Sequence, residues 1–217
     1  MSFYKMYDFL RDLQNNNSKD WMDDNRKRYH EVRDWFASWL EELNEKLSKV
    51  DRDYTPKPGK KALNRINNNL LYHPNKPTYK DHFGAGLDNP NKSGDFYIHV
   101  GTSESFLAGG YYHPSSKVLK SIRQAIDYNG EELRKILDKK SFKKMFGGLM
   151  DEDPLKTSPK GFSKDHPHIE LLRHKSFAVS HQVTQKEVMQ DDFQEKVIEV
   201  YKEILPFRRY LNKAVTV

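Results

Sequence analysis

Residues 95–112 read Asp-Phe-Tyr-Ile-His-Val-Gly-Thr-Ser-Glu-Ser-Phe-Leu-Ala-Gly-Gly-Tyr-Tyr. Apolar side chains alternate with Tyr and His over residues 95–100, which predicts a strand because successive side chains of a strand face opposite sides. Residues 101–104 are typical of a turn and residues 105–112 of a second strand, so the stretch predicts a β-hairpin. Gly109-Gly110 indicates a bulge or a close backbone approach within it.

Helical periodicity flanks this hairpin. Apolar residues recur every three to four positions over residues 3–15, 21–47 and 118–126, and again over residues 193–204, where Pro206 is expected to stop the last helix. Strands clustered between helices, without strict alternation, indicate an α+β fold with a mostly antiparallel central sheet flanked by helices.

Two further stretches alternate like strands, residues 64–72 and 176–184. Neither an internal repeat nor a long linker interrupts the chain. The sequence therefore predicts one domain over residues 1–217, with a helical part at about 1–50 and a sheet-containing core at about 60–215.

Composition excludes several functional classes. The 217 residues contain no cysteine, which rules out a disulfide framework, thiolate catalysis and cysteine-bound clusters. Hydrophobic residues reach only 36% and charged residues 31%, but 12 Phe, 12 Tyr and 3 Trp supply material for a core. No apolar run has the length of a signal peptide or a membrane span, so we expect a cytoplasmic protein without membrane contact.

The positive charge is concentrated between residues 55 and 92. Seven Lys and Arg residues against Asp81 and Asp88 give this segment +5 of the chain's net +6. A local excess of this kind suits an anionic partner, although a solvated basic loop explains it equally well. Nucleic-acid binding through the 55–92 segment is the least favoured alternative, because few aromatic residues interleave with the lysines.

A polar row within this segment is the best candidate site. The candidate ligand-binding residues are Arg65, Asn67, Lys76, Tyr79 and Lys80. Arginine offers a fork for phosphate or carboxylate, asparagine donates and accepts, lysine supplies charge, and tyrosine can stack or transfer a proton. The structural alternative is that Arg65 and the amides tie loop backbone to the sheet.

Histidine and aspartate cluster at Asp165-His166-Pro167-His168. These residue types could hold zinc or manganese, which gives a metal-dependent hydrolase using Asp165, His166 and His168 as the alternative function. Pro167 and Asp165 fit a helix start better, with Asp165 as the N-cap. No phosphate-loop, HExxH or GxSxG motif occurs, so no catalytic residue is assigned and whether the protein is an enzyme stays open.

The chain resembles the domain-of-unknown-function 2461 family, conserved hypothetical proteins of bacteria and fungi. The motifs that carry the resemblance include Arg65-Ile66-Asn67, Lys76-x-x-Tyr79-Lys80, Tyr97-x-His99-Val100, Gly109-Gly110-x-Tyr112-x-Pro114 and Asp165-His166-Pro167. The resemblance implies an α+β fold and a cytoplasmic location, and no established activity.

This chain departs from the family pattern where that pattern reads Arg-Ile-Asn-Arg-Asp-x-Arg-Phe. A carboxylate position is Asn69, two guanidinium positions are Asn68 and Leu71, and the acidic position before Lys76 is Asn75. Removing both partners of a charge pair can be nearly neutral for stability. We therefore expect a divergent member that binds a small anion, a phosphate, carboxylate or nucleotide, with little or no catalysis.

Overall fold

The helices and strands follow the order expected of an α+β chain. The computed structural model describes residues 1–88, 94–150 and 153–216. Its elements are α1 (Phe3–Asn15), α2 (Lys19–Asp24), α3 (Arg26–Val50), α4 (Gly59–Ala62), β1 (His82–Leu87), β2 (Phe96–Gly101), β3 (Ser105–Tyr111), α5 (Ser116–Asp138), α6 (Lys140–Phe146), α7 (Ile169–Arg173), β4 (Phe177–Gln182), α8 (Gln185–Val188) and α9 (Phe193–Ala214).

One four-stranded antiparallel sheet has the strand order β1-β2-β3-β4. Strand β1 runs antiparallel to β2 in a register that places His82 opposite Gly101 and Leu87 opposite Phe96. The predicted α+β class is confirmed, and the hairpin predicted from residues 95–112 is present as β2 and β3.

The chain divides into two compact units. The first comprises Met1–Pro90, Phe96–Leu107 and Gln182–Ile198, and the second comprises Asn91–Asp95, Ala108–His181 and Glu199–Val217. The expectation of a single domain stays a prediction.

The first unit has an aromatic core. Phe3 meets Trp35, Trp39 and Phe193 edge to face, with ring centroids 5.0, 5.2 and 5.5 Å away. Phe83 of β1 packs against the same helical layer, within 6.4 Å of the Phe9 ring. One face of β1 and β2 is therefore covered by α1 and α3, and alternate residues of these strands face the other way.

The second unit has its own apolar core. The rings of Phe142 and Phe146 in α6 lie 4.7 Å apart, and Phe142 also contacts Phe207 of α9 at 5.8 Å. Helix α9 continues through Pro206 to Ala214, so the predicted stop at this proline is wrong. Phe207 and Leu211, both fully buried beyond the proline, continue the apolar stripe, and this packing offsets the missing N–H of Pro206.

The strand predicted over residues 64–72 is also wrong. Only isolated bridges occur there, Leu63 with Ala85 and Asn67 with Tyr79. The Asn68 side chain donates instead to the Pro77 carbonyl at 2.8 Å, because Asn amides compete with strand pairing for backbone groups. Leu71 and Tyr72 are 84% and 73% exposed, so the alternation in sequence does not correspond to a buried face.

The basic segment is described up to Asp88, and residues 89–92 lie outside the described residues. Within the described ranges, no helix combines the length and the apolar character that a membrane crossing needs.

Candidate functional site

A hairpin-like loop over residues 66–80 positions the predicted site. The Lys80 N–H donates to the Ile66 carbonyl at 2.8 Å, and the Asn68 N–H donates to the Thr78 carbonyl at 2.9 Å. This pairing brings the two ends of the loop together beside β1. As a result Arg65 and Lys80, fifteen positions apart, become neighbours.

Three of the predicted residues form a cationic cluster, Arg65, Lys76 and Lys80. The Lys80 Nζ donates to the Arg65 carbonyl oxygen at 2.7 Å. Burial lowers the pKa of the Lys80 amine, and the positive charges of Arg65 and Lys76 lower it further. Across the described residues no carboxylate forms an ion pair with these three side chains.

Tyr79 and Asn67 pair with each other at the base of the loop. Tyr79 is only 6% exposed, and its backbone is held by Asn17, whose side chain accepts from the Tyr79 N–H at 2.8 Å and donates to its carbonyl at 3.0 Å. Asn67 faces Tyr79 across the base of the loop. The structure thus brings Arg65, Lys76 and Lys80 together, whereas Tyr79 anchors the loop and does not share their exposed side.

An aspartate–histidine pair follows directly after Lys80. Asp81 Oδ1 lies 2.9 Å from His82 Nδ1, and the Ser103 hydroxyl donates to Asp81 Oδ2 at 2.6 Å. Burial opposes ionisation of Asp81, but the hydrogen bonds from Ser103 and His82 outweigh burial and lower its pKa. Asp81 is therefore an ionised acceptor, and His82 Nδ1 carries the shared proton.

Three rings stack across the strands on the face opposite the aromatic core. The His82 and His99 ring centroids lie 3.9 Å apart with 29° between the planes, and His99 and Phe106 lie 4.5 Å apart with 15°. Burial lowers the pKa of His82, and Lys80 adds to the effect against the opposing Asp81. Burial and neighbouring His82 lower the pKa of His99 to about 3. Both imidazoles are neutral at pH 7.

Two glycines make room for side chains on this face of the sheet, Gly84 for Tyr97 and Gly101 for His82. A Cβ at Gly84 would lie 2.1 Å from the Tyr97 hydroxyl, which also bonds to Asn64. A Cβ at Gly101 would lie 2.8 Å from the Cβ of His82 and 2.8 Å from the Glu104 carbonyl oxygen. Any larger residue at either position would displace the rings or the turn.

The predicted histidine–aspartate cluster lies in the second unit. His166 Nε2 is 3.0 Å from Asp127 Oδ1, while its Nδ1 accepts from the His168 N–H at 3.0 Å. Both nitrogens of His166 are thus engaged, and the exposed Asp165 takes part only through its N–H, which donates to Ser163. Among residues 1–88, 94–150 and 153–216, no three His, Asp or Glu side chains are arranged to hold a metal ion.

Two clefts lie elsewhere. One of about 320 Å³ in the first unit is lined by residues 101–105 and 182–185. Another of about 670 Å³ in the second unit is lined by residues of α5 and α9, including Lys135, Arg209 and Tyr210. None of the predicted site residues lines either cleft.

The family model for conserved hypothetical proteins, DUF2461, matches residues 5–210. The chain belongs to this family. The match includes the cationic cluster and the Asp81–His82 pair, so the site described above lies inside the DUF2461 region. No curated protein and no solved structure matches the chain significantly.

Sequence reasoning did not predict the hydrogen bonds that join Asp81 to His82 and Ser103 in this DUF2461 member. His82 lies two residues after Lys80, and this closeness is a signal that the sequence contains. The Ser103 contact has no such signal, because it depends on how the β2–β3 turn folds back towards β1.

Proposed function

We propose that the protein binds a small anionic ligand, a phosphate, carboxylate or nucleotide, at the cationic cluster of Arg65, Lys76 and Lys80. The observation that supports the proposal is a partly buried Lys80 amine 2.7 Å from the Arg65 carbonyl, beside the charges of Arg65 and Lys76 and without a paired carboxylate among the described residues. A bound anion would relieve the repulsion between these charges. It would also replace water around the partly buried Lys80 amine.

The chemistry of the cluster suits an oxyanion. An arginine guanidinium offers a planar pair of N–H donors that matches phosphate or carboxylate oxygens, and the lysines add point charges. Charges in partly desolvated surroundings attract an anion more strongly than fully exposed charges do. The nearby Lys60 differs from these three residues, because its Nζ lies 3.5 Å from Asp34 Oδ1 and forms an ion pair.

Little or no catalysis accompanies this binding in our proposal. Four charged positions of the family pattern, two basic and two acidic, are Asn68, Leu71, Asn69 and Asn75 here. Asn69, Leu71 and Asn75 are exposed on the loop, and Asn68 serves the Pro77 carbonyl. As part of the same proposal the protein acts in the cytoplasm, to which the absence of cysteine lends weak support.

Isothermal titration calorimetry with inorganic phosphate, succinate and adenosine monophosphate tests the proposal. Arg65→Gln and Lys80→Met should each weaken binding of the ligand that binds best by about tenfold, the effect of losing one charge-assisted hydrogen bond. Lys27→Gln removes an exposed charge from α3 and serves as the matched control. Equal affinities in all three variants, or no binding below millimolar concentrations, would exclude the site.

A further inference from the structure

The ring nitrogens of His82, which closely follows the cationic cluster in sequence, limit the chemical class of the ligand. With Asp81 ionised and bonded to Nδ1, the neutral His82 ring carries its proton on Nδ1 and a lone pair on Nε2. Ser103 occupies the other oxygen of Asp81. The tautomer of His82 is therefore fixed by two hydrogen bonds, and Nε2 can only accept.

His99 lies against this acceptor as a second neutral imidazole. The residue is 7% exposed, and its ring stacks on the His82 ring with centroids 3.9 Å apart. Burial keeps the pKa of His99 at about 3. The stack therefore places an uncharged ring beside His82 and adds no positive charge of its own.

His82 lies two residues after Lys80 of the cluster, across a bend at Asp81. The charge of Lys80 acts on both imidazoles. His82 side-chain atoms are 20% exposed, so the ring is open to a small ligand. The surroundings therefore combine positive charge with an acceptor that cannot donate.

We propose that the ligand carries a hydrogen-bond donor next to its negative charge, as a 2-hydroxycarboxylate or a hydrogen phosphate does, and donates it to His82 Nε2. This inference rests on the proposed anion site and narrows its ligand class. An aprotic anion would turn its oxygen lone pairs towards the lone pair of Nε2. Leaving that acceptor unpaired should cost about tenfold in affinity.

Two matched pairs of ligands measure the effect on the whole chain. L-malate and succinate have the same charge and length and differ by one hydroxyl. Hydrogen phosphate and sulfate are both tetrahedral dianions at pH 7.5, and only phosphate carries a proton. Titration calorimetry at pH 7.5 should show each protic member binding about tenfold more tightly than its partner.

Two variants test whether the His82 imidazole causes the preference for ligands that carry a hydrogen-bond donor. His82→Phe keeps a ring in the stack but removes Nε2, so both ligand pairs should bind with a ratio near one while succinate binding is retained. Asp81→Asn frees the tautomer of His82 and should reduce the preference without abolishing it. Circular dichroism spectra and melting temperatures show whether each variant folds.

The outcomes separate the two proposals. If the paired ligands bind equally to the wild-type protein and Arg65→Gln weakens both, the donor requirement is wrong and the anion site stands. A preference for malate that His82→Phe leaves intact also overturns the inference. If none of the four ligands binds, both proposals fail.

Discussion

The Lys80 ammonium group lies 2.7 Å from the carbonyl oxygen of Arg65, so the hydrogen bond that holds this lysine leads directly to the residue whose charge repels it. The bond fixes the position of the amine while the repulsion disfavours its proton. We therefore expect the Lys80 amine to titrate below the usual range for lysine, and Arg65→Gln to raise its pKa.

NMR titration of the lysine Cε and Nζ resonances checks this expectation, with Lys80→Met identifying the signal. Lys27→Gln should leave the Lys80 titration unchanged. Binding of an anion should raise the Lys80 pKa, so the protein should take up protons on binding at pH values near it. Identical Lys80 curves in the wild-type and Arg65→Gln proteins would contradict the charge coupling.

His99 makes folding stability depend on pH. Its folded-state pKa is about 3, against roughly 6.5 when unfolded. Between these values the unfolded chain binds more protons, so stability is complete above pH 6.5 and is lost as the pH falls towards 3. The loss attributable to His99 approaches about 1.4 kcal/mol per pH unit in that window.

Urea unfolding of the wild-type and His99→Phe proteins at pH 7.5, 6, 5 and 4 measures this slope. The difference in unfolding free energy between the two proteins should shift in favour of the variant as the pH falls. At pH 7.5 and above the difference should be constant. Parallel stability curves from pH 7.5 to pH 4 would show that His99 is not buried as described.

Gly84→Ala should destabilise the first unit by ~1–3 kcal/mol, because the new methyl group would overlap the Tyr97 hydroxyl. Tyr97→Phe removes that oxygen, so the double variant should recover part of the loss. Gly148→Ala is the matched control, since a Cβ there meets nothing within 4 Å. Thermal unfolding of the wild-type protein and the four variants gives the comparison, and purely additive effects would argue against contact between residues 84 and 97.

Asn17→Ala should loosen the base of the 66–80 loop. The change removes both side-chain hydrogen bonds to the Tyr79 backbone, at a cost of ~1–3 kcal/mol. Hydrogen exchange at the Lys80 amide should accelerate, and anion affinity should fall with it. Asn16→Ala loses only an exposed bond to the Asp12 carbonyl and is the control; equal exchange rates in both variants would contradict the anchoring role.

Alternation of apolar and polar residues predicted strands correctly where one side of the strand packs against a core. The alternation over residues 95–112 predicted the β2–β3 hairpin, because one face of these strands is covered by apolar residues. The same pattern failed over residues 64–72, where Asn68 satisfies the Pro77 carbonyl and no core receives Leu71 or Tyr72. Alternation in the sequence does not reveal whether other helices or strands cover the apolar side of the stretch.

The candidate site likewise contains features that the sequence predicts and features that depend on tertiary contacts. Residue chemistry pointed to Arg65, Lys76 and Lys80, since unpaired cations near one another in sequence can be noticed directly. It grouped Tyr79 with these cations, whereas Tyr79 is buried and its backbone bonds to Asn17, a residue 62 positions away. It did not predict the stacking of His82 on His99, because that contact depends on the register of β1 against β2, which no single strand encodes.

The register of β1 against β2 affects both the packing of the core and the proposed ligand site. With His82 opposite Gly101, Phe83 faces the aromatic core and the imidazole faces away from it. A slip of one residue would exchange the two faces, bringing His82 to the side of Phe36 and Phe83 to the side of the cations. The misregistered chain would lose the core contact of Phe83 and the proposed ligand contact of His82 together, so a single pairing error would remove both stability and the proposed binding.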